Sequence, residues 1–187
     1  MKRGLLSGLT VAASLTAVVL CAPAQEATAG TLLGLDLGLA VDTGDLPVDP
    51  GGPGPAVAVR FGYELPIPVV RIVPEAQLGY ASFSADDKNG NPTQQILTGR
   101  AGLRLGIGGV IGPALFAHVG FGDISGEGSD FVIEKSGLSY DVGLSVDFTL
   151  LPLLNLGIHG AWNALEEDDP KATFQWLDFG IHAELNF

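Results

Sequence analysis

Apolar residues at every second position are the feature of this sequence that most limits its fold. From Leu138 to Leu150, seven apolar residues alternate without interruption with six small, polar or acidic ones, and the final stretch from Phe174 to Phe187 keeps the same period from Leu177 onward. Neighbouring side chains of a strand point to opposite faces, so a period of two predicts a strand with one apolar face. The pattern therefore indicates a sheet rather than helices.

The same period recurs along the chain and predicts eight strands. These are residues 31–42, 55–65, 71–83, 95–107, 115–122, 138–150, 154–163 and 174–187. The connections alternate strictly between long (43–54, 84–93, 123–136 and 165–173) and short (66–70, 108–112 and 151–153). An all-β, antiparallel up-and-down arrangement follows, with the long connections at one end and the short turns at the other.

The placement of charge predicts which face of the sheet meets which medium. The charged residues of the strands, such as Arg60, Arg100 and Asp141, fall on the face that carries the glycines, and none falls on the face that carries the leucines. A lysine or arginine that faces lipid at mid-membrane costs about 2–4 kcal/mol, whereas a water-facing surface tolerates it. The fold predicted from this is an eight-stranded antiparallel transmembrane β-barrel with its leucines in lipid.

The opposite face is then the lining of the barrel lumen, and we interpret its charges as a structural polar network. The predicted network comprises Asp36, Arg60, Glu64, Arg71, Glu75, Arg100, Arg104, His118, Asp141, Asp147, His159, Asp178, His182 and Glu184. Eight strands enclose a space that side chains just fill, and buried charges must be paired, so a plug is favoured over a conduit. A narrow or gated pore is the alternative. Folding the second and third strands about their short turn sets Glu64 directly opposite Arg71 and Arg60 opposite Glu75.

All three histidines have inward parity. His159 and His182 lie on consecutive strands with Asp178 and Glu184 nearby, which leaves open a metal site or a pH-responsive site. Shear between strands can separate such residues, and histidines often simply join polar networks. We therefore favour the structural interpretation and predict no catalytic, cofactor-binding or metal-binding residue.

The amino terminus has the pattern of a secretory signal peptide. Lys2 and Arg3 precede an apolar run over residues 5–21, and Ala22-Pro23-Ala24 supplies the small residues of a cleavage site. We predict a cleaved signal peptide over residues 1–24 and a barrel domain over 25–187, although a cut after Ala29 fits the same rule. Seven basic and 21 acidic residues then remain, and this net charge of −14 argues against nucleic acid as a partner.

Aromatic residues of the apolar face sort by height, as in the two girdles of membrane barrels. Toward the long connections lie Tyr80, Phe121, Tyr140 and Trp162, and toward the short turns lie Tyr63, Phe148 and Phe187. With the strand rhythm and the ending Phe179, Ile181, Ala183, Leu185 and Phe187, the mature chain resembles the small eight-stranded outer-membrane barrels of the OmpA/OmpX and opacity-protein type.

This resemblance implies a Gram-negative outer membrane, with the long loops outside the cell and both termini in the periplasm. It implies contact with outer-membrane lipids and lipopolysaccharide, and recognition of Phe179, Ile181, Leu185 and Phe187 as a terminal signal by the barrel assembly machinery. We predict no cofactor. The expected role is structural or in cell-surface interaction. The alternative is a small porin-like channel or transporter for small solutes.

Some barrels of this size act on lipid A through a histidine and a serine at the membrane-exposed surface. In this chain the residues two positions after the histidines are Gly120, Ala161 and Glu184, so that pairing is missing and we expect no enzyme. The long connections are acidic, which fits solubility and, alternatively, cation bridging to lipopolysaccharide phosphates or a basic partner.

Overall fold

Eight antiparallel strands close into a barrel in the order in which they occur in the chain, which confirms the predicted fold class. The computed structural model describes residues 30–43, 52–83, 93–127, 132–168 and 171–187. The strands are β1 (Gly30–Asp42), β2 (Gly54–Glu64), β3 (Val70–Phe83), β4 (Thr93–Ile107), β5 (Ile111–Glu127), β6 (Val132–Leu151), β7 (Leu154–Asp168) and β8 (Lys171–Asn186). β1 pairs with both β2 and β8, so the sheet has no free edge. The predicted signal peptide lies outside the described residues.

The leucine-bearing face forms the outside of the barrel. Leu78 and Leu144 are 68% and 65% exposed, whereas Ser145, the residue after Leu144, is buried. The alternation is strict along β2, where buried and exposed residues follow one another from Gly54 to Tyr63. None of the described residues forms a helix of the length and apolarity needed to cross a membrane.

Two of the four predicted long connections are wrong, because the strands continue through most of them. β5 and β6 pair as far as Glu127 opposite Val132, and β7 and β8 pair as far as Asp168 opposite Lys171. The first segment is rich in glycine and charge and the second in charge, which hid their strand character, but cross-strand hydrogen bonds satisfy their backbone. Only residues 128–131 and 169–170 separate these strands.

The predicted register between β2 and β3 is also wrong by two residues. Arg60 lies opposite Gln77, and Glu75 lies opposite Gly62. The turn is correspondingly wider, and it closes with a hydrogen bond from the Leu65 amide to the Ile72 carbonyl. The expected charge pairs still form as diagonal neighbours, since arginine side chains are long enough to reach across one register step.

An apolar layer fills the lumen near the long connections, which the sequence interpretation did not anticipate. It consists of Ala40, Ala56, Ala81, Phe83, Ile96, Ile124, Leu165, Phe174 and Trp176. Phe83 and Trp176 meet edge to face with ring centroids 6.5 Å apart. The charged network predicted for the lumen therefore lies between this apolar layer and the short turns, whereas Gln94 and Glu167 are buried on the other side of the layer.

Candidate functional site in the barrel lumen

Glu184 is the centre of the charged network in the lumen. Its carboxylate accepts a hydrogen bond from Arg71, one from Arg104 Nη1 at 3.2 Å and one from Asn155 Nδ2 at 3.2 Å. Arg60 Nη1 lies 3.5 Å from the same carboxylate. Only 2% of Glu184 is exposed, so these contacts replace the water that the charge has lost.

Arg60 connects three carboxylates. Its Nε and Nη2 donate to the two oxygens of Asp36 at 2.8 and 2.9 Å, in the two-pronged geometry that suits a guanidinium group. Its Nη1 faces Glu75 at 3.4 Å. Asp36 has no other hydrogen-bond donor among the described residues, so its charge depends on Arg60.

A second group lies directly beneath the apolar layer, around Arg100. This guanidinium group donates to Asp141 at 2.6 Å and to Asn163 at 2.7 Å, and it stacks over Trp176 at 5.6 Å. His118 joins the two groups. Its Nδ1 lies 2.8 Å from Asp141 and its Nε2 lies 2.9 Å from Glu75.

The other two histidines lie side by side on β7 and β8. Their ring centroids are 5.7 Å apart. His182 faces Gly157 on the neighbouring strand, and His159 faces Gly180. A Cβ atom at Gly157 would overlap the His182 ring, and one at Gly180 would lie 2.8 Å from His159 Cε1. The two glycines thus make the space in which both imidazoles fit.

The fourteen residues of the predicted network all line the lumen side of their strands. Eleven are buried, and Glu64, His159 and Asp178 are half-buried. His118 is not grouped with the other histidines. Of the two acids expected near His159 and His182, Asp178 Oδ1 lies 3.9 Å from His159 Nε2, whereas Glu184 contacts arginines instead. Asp36 and Asp147 are the other acids beside this histidine pair. The network also contains Ser139, Asn155 and Asn163, which have the same inward parity but carry no charge and were not included in the prediction.

Little open space remains between these side chains. The cavity beside His159 and His182 measures about 30 Å³, and another of about 30 Å³ lies beneath the apolar layer. A larger cavity of about 320 Å³ opens at the short turns, lined partly by Arg71 and Asp147. It shares no lining residue with the cavity at the histidines. Each small cavity has room for about one water molecule.

Comparisons with known proteins agree with this architecture. A family model described as "Outer membrane protein beta-barrel domain" matches residues 10–182. No curated protein sequence matches significantly. Among solved structures, the chain is similar to Neisserial surface protein A, with a TM-score of 0.57, 11% identity and coverage of 88% of this chain and 99% of that one. It is also similar to Ail, the attachment invasion locus protein of Yersinia pestis (TM-score 0.54, 13% identity, 87% and 100% covered). A third similar structure is the N-terminal β-barrel domain of Pseudomonas aeruginosa OprF (TM-score 0.54, 12% identity, 88% of this chain and 100% of that one covered). At these identities the likeness shows the fold alone.

Proposed function

Because the chain belongs to the family of outer membrane β-barrel proteins, we propose that it is a structural or cell-surface interaction protein whose lumen is closed by its own side chains. The observation that carries this proposal is the filling of the lumen. Charged side chains pair across the lower lumen, the apolar layer lies above them, and the cavities between them measure only about 30 Å³. A hydrated solute needs a wider passage.

The second candidate function is a small channel or transporter, and the observation that favours it is the 320 Å³ cavity at the short turns.

The proposed orientation places the short turns and both termini in the periplasm and the long connections outside the cell. β5 and β6 are the longest of the described strands, and at the long-connection end they reach Glu127 and Val132. Such extended hairpins offer a surface to partners beyond the lipid headgroups. The apolar outer face would contact outer-membrane lipids and lipopolysaccharide. The proposed role is not enzymatic, since the three histidines face the lumen and not a lipid substrate.

Single-channel recording distinguishes a closed barrel from a channel. Protein purified and reconstituted into planar bilayers is expected to give no steady conductance steps, because an ion would have to displace paired charges and cross the apolar layer. A porin reconstituted in the same bilayers serves as the positive control. Steady, sizeable conductance from the folded protein would reject the closed lumen and favour the channel.

We also propose that Phe179, Ile181, Leu185 and Phe187 form the signal recognised by the barrel assembly machinery. Phe187 is 69% exposed, while its backbone amide donates to the Thr31 carbonyl at 2.9 Å. A Phe187→Ala variant therefore keeps the backbone bonds that close the barrel. We expect several-fold less folded protein in the outer membrane of cells, with little change in unassisted refolding in detergent.

Phe148→Ala is the matched control for that variant, since it removes an aromatic ring from the same rim of the barrel but outside the terminal strand. It should assemble in cells at the normal level. Equal losses for the two variants in cells would argue that the rim aromatics, and not a terminal signal, matter for assembly.

A further inference from the structure

Three potential metal ligands from three neighbouring strands meet in the lumen. His159 of β7, His182 of β8 and Asp36 of β1 each offer one ligand atom, and these atoms lie within 4.8 Å of one another. The closure of the barrel brings them together, because Asp36 lies directly opposite His182 where β1 pairs with β8. We propose that these side chains bind one divalent transition-metal ion, of the chemical class of Zn²⁺.

The free ring nitrogens are the first support for this site. His182 is 4% exposed, and its Nε2 lies 2.7 Å from Asp147 Oδ1. Its Nδ1 is buried without a hydrogen-bond partner among the described residues, and so is Nδ1 of His159. Buried polar atoms are rarely left unpaired. Two unpaired nitrogens on adjacent rings, whose centroids are 5.7 Å apart, point to a ligand that accepts their lone pairs.

Asp147 gives His182 the arrangement that is typical of metal-binding histidines. A ligating histidine usually donates its second ring N–H to a carboxylate, which fixes the tautomer and makes the other nitrogen more basic. If Nε2 of His182 donates to Asp147, the lone pair of Nδ1 is left for the metal. Asp147 is itself held by Arg71 Nη1 at 2.8 Å. The supporting carboxylate is therefore fixed as well.

The charge of the lumen also favours a bound cation. Below the apolar layer, the described lumen-facing carboxylates of the network number seven, against four guanidinium groups. The carboxylates are Asp36, Glu64, Glu75, Asp141, Asp147, Asp178 and Glu184, and the guanidinium groups are those of Arg60, Arg71, Arg100 and Arg104. An excess of three negative charges remains before the histidines are considered. A divalent ion would reduce that excess to one.

The cavity fits a single ion. It measures about 30 Å³, and its lining includes Asp36, His159, His182 and Asp178 together with Arg60, Arg104 and His118. Asp178 Oδ1, also buried without a hydrogen-bond partner among the described residues, lies 3.9 Å from His159 Nε2, so it stands on the side of the ring away from Nδ1 and can support His159 as Asp147 supports His182. Ligand atoms around a tetrahedral Zn²⁺ are separated by about 3.3 Å, so binding requires these side chains to draw closer together.

The donor set identifies the class of metal. Two imidazoles with one carboxylate suit Zn²⁺ and its neighbours, whereas Ca²⁺ and Mg²⁺ prefer sites made only of oxygen atoms. Asp36 also binds Arg60, but a carboxylate has about four lone-pair sites, and those not used by the guanidinium group remain for the metal.

Metal binding to the whole protein tests this inference independently of the proposed role in the membrane. The charged contacts at Asp147 separate the site from the cavity at the short turns, so an ion cannot readily enter or leave the folded barrel. Protein from membranes is therefore unfolded in urea with EDTA, which removes bound metal, and refolded in detergent with or without ZnCl₂. We expect one zinc per chain by elemental analysis. The variants His159→Gln and His182→Gln should each lower the affinity by at least about 100-fold, and Asp147→Asn by about 10- to 100-fold.

His118→Gln is the matched control, since His118 lines the same cavity but both of its ring nitrogens already contact carboxylates. It should bind zinc within about threefold of the unaltered protein, because His118 offers no free nitrogen to the ion and neither of the carboxylates it contacts is a proposed ligand. If the unaltered protein holds no zinc after refolding with ZnCl₂, the inference is overturned. Equal zinc affinity of the His182→Gln and His118→Gln variants would also overturn it.

X-ray absorption at the zinc edge decides the question if a variant does not fold. Two imidazole ligands on the zinc of the unaltered protein are expected. A shell of oxygen atoms without imidazole would place the ion elsewhere, for example on the acidic connections, and would overturn the site.

Discussion

Replacing Arg60 with methionine is expected to lower the free energy of unfolding by about 3–5 kcal/mol, since it leaves buried carboxylates without their counter-charge. Asp36 receives its hydrogen bonds from Arg60 alone among the described residues, and Glu75 and Glu184 each lose one cation within 3.5 Å. The methionine side chain retains most of the apolar volume of the arginine stem. Urea titration of the protein folded in lipid vesicles, followed by tryptophan fluorescence, measures the change.

A second variant separates the loss of charge pairing from the loss of packing. Adding Asp36→Asn to Arg60→Met removes the carboxylate that was left unpaired, so the double variant should regain at least about 1 kcal/mol relative to the single one, as coupled neighbours do. If the two substitutions simply add, the stabilisation by Arg60 does not come from its charge pair with Asp36.

The Leu144→Arg substitution is expected to cost about 2–4 kcal/mol because it places a charge on the lipid face near the middle of the membrane. Leu144 is 65% exposed on the outside of β6, midway between the girdle residues Tyr140 and Phe148. No lumen group can reach it to pair with the new guanidinium group. The same urea titration in vesicles measures the loss, and the yield of folded protein in cells should fall with it.

Leu150→Arg on the same face of the same strand is the control for depth. Leu150 is 59% exposed and lies one residue from the short-turn end of β6. An arginine there can extend to the headgroups, so the expected cost is only about 0–1 kcal/mol. Equal costs at the two positions would contradict the view that the outer face spans a lipid bilayer.

Individual residues show how much of the lumen could be predicted from the sequence. The period of two correctly predicted that Arg60, Arg104 and Glu184 point inward, since side-chain direction in a strand depends only on local alternation. Phe83 and Trp176 have the same inward parity, but the predicted network included only charged residues and histidines, so the apolar layer was missed. That signal was present in the sequence as inward positions that change from charged to apolar toward the long connections.

The side-chain contacts between strands on opposite sides of the lumen could not be predicted from local alternation. Arg71 of β3 contacts Glu184 of β8, and Arg104 of β4 contacts the same carboxylate, although β8 is not a neighbour of either strand. These contacts depend on the stagger that accumulates around the closed sheet. A shift of two residues between β2 and β3, such as the one found here, changes which charges lie at the same height.

The sequence by itself determined the eight strands, their antiparallel order, the face that meets lipid and the charge of the lumen. Each of these follows from local alternation and from the cost of placing charge in hydrocarbon. The tertiary structure alone decided that His182 stands between Asp36 and Asp147, while His118 joins Glu75 to Asp141. The reason is that the closure of β1 on β8 and the register of each pair set these heights, and both are properties of the whole barrel.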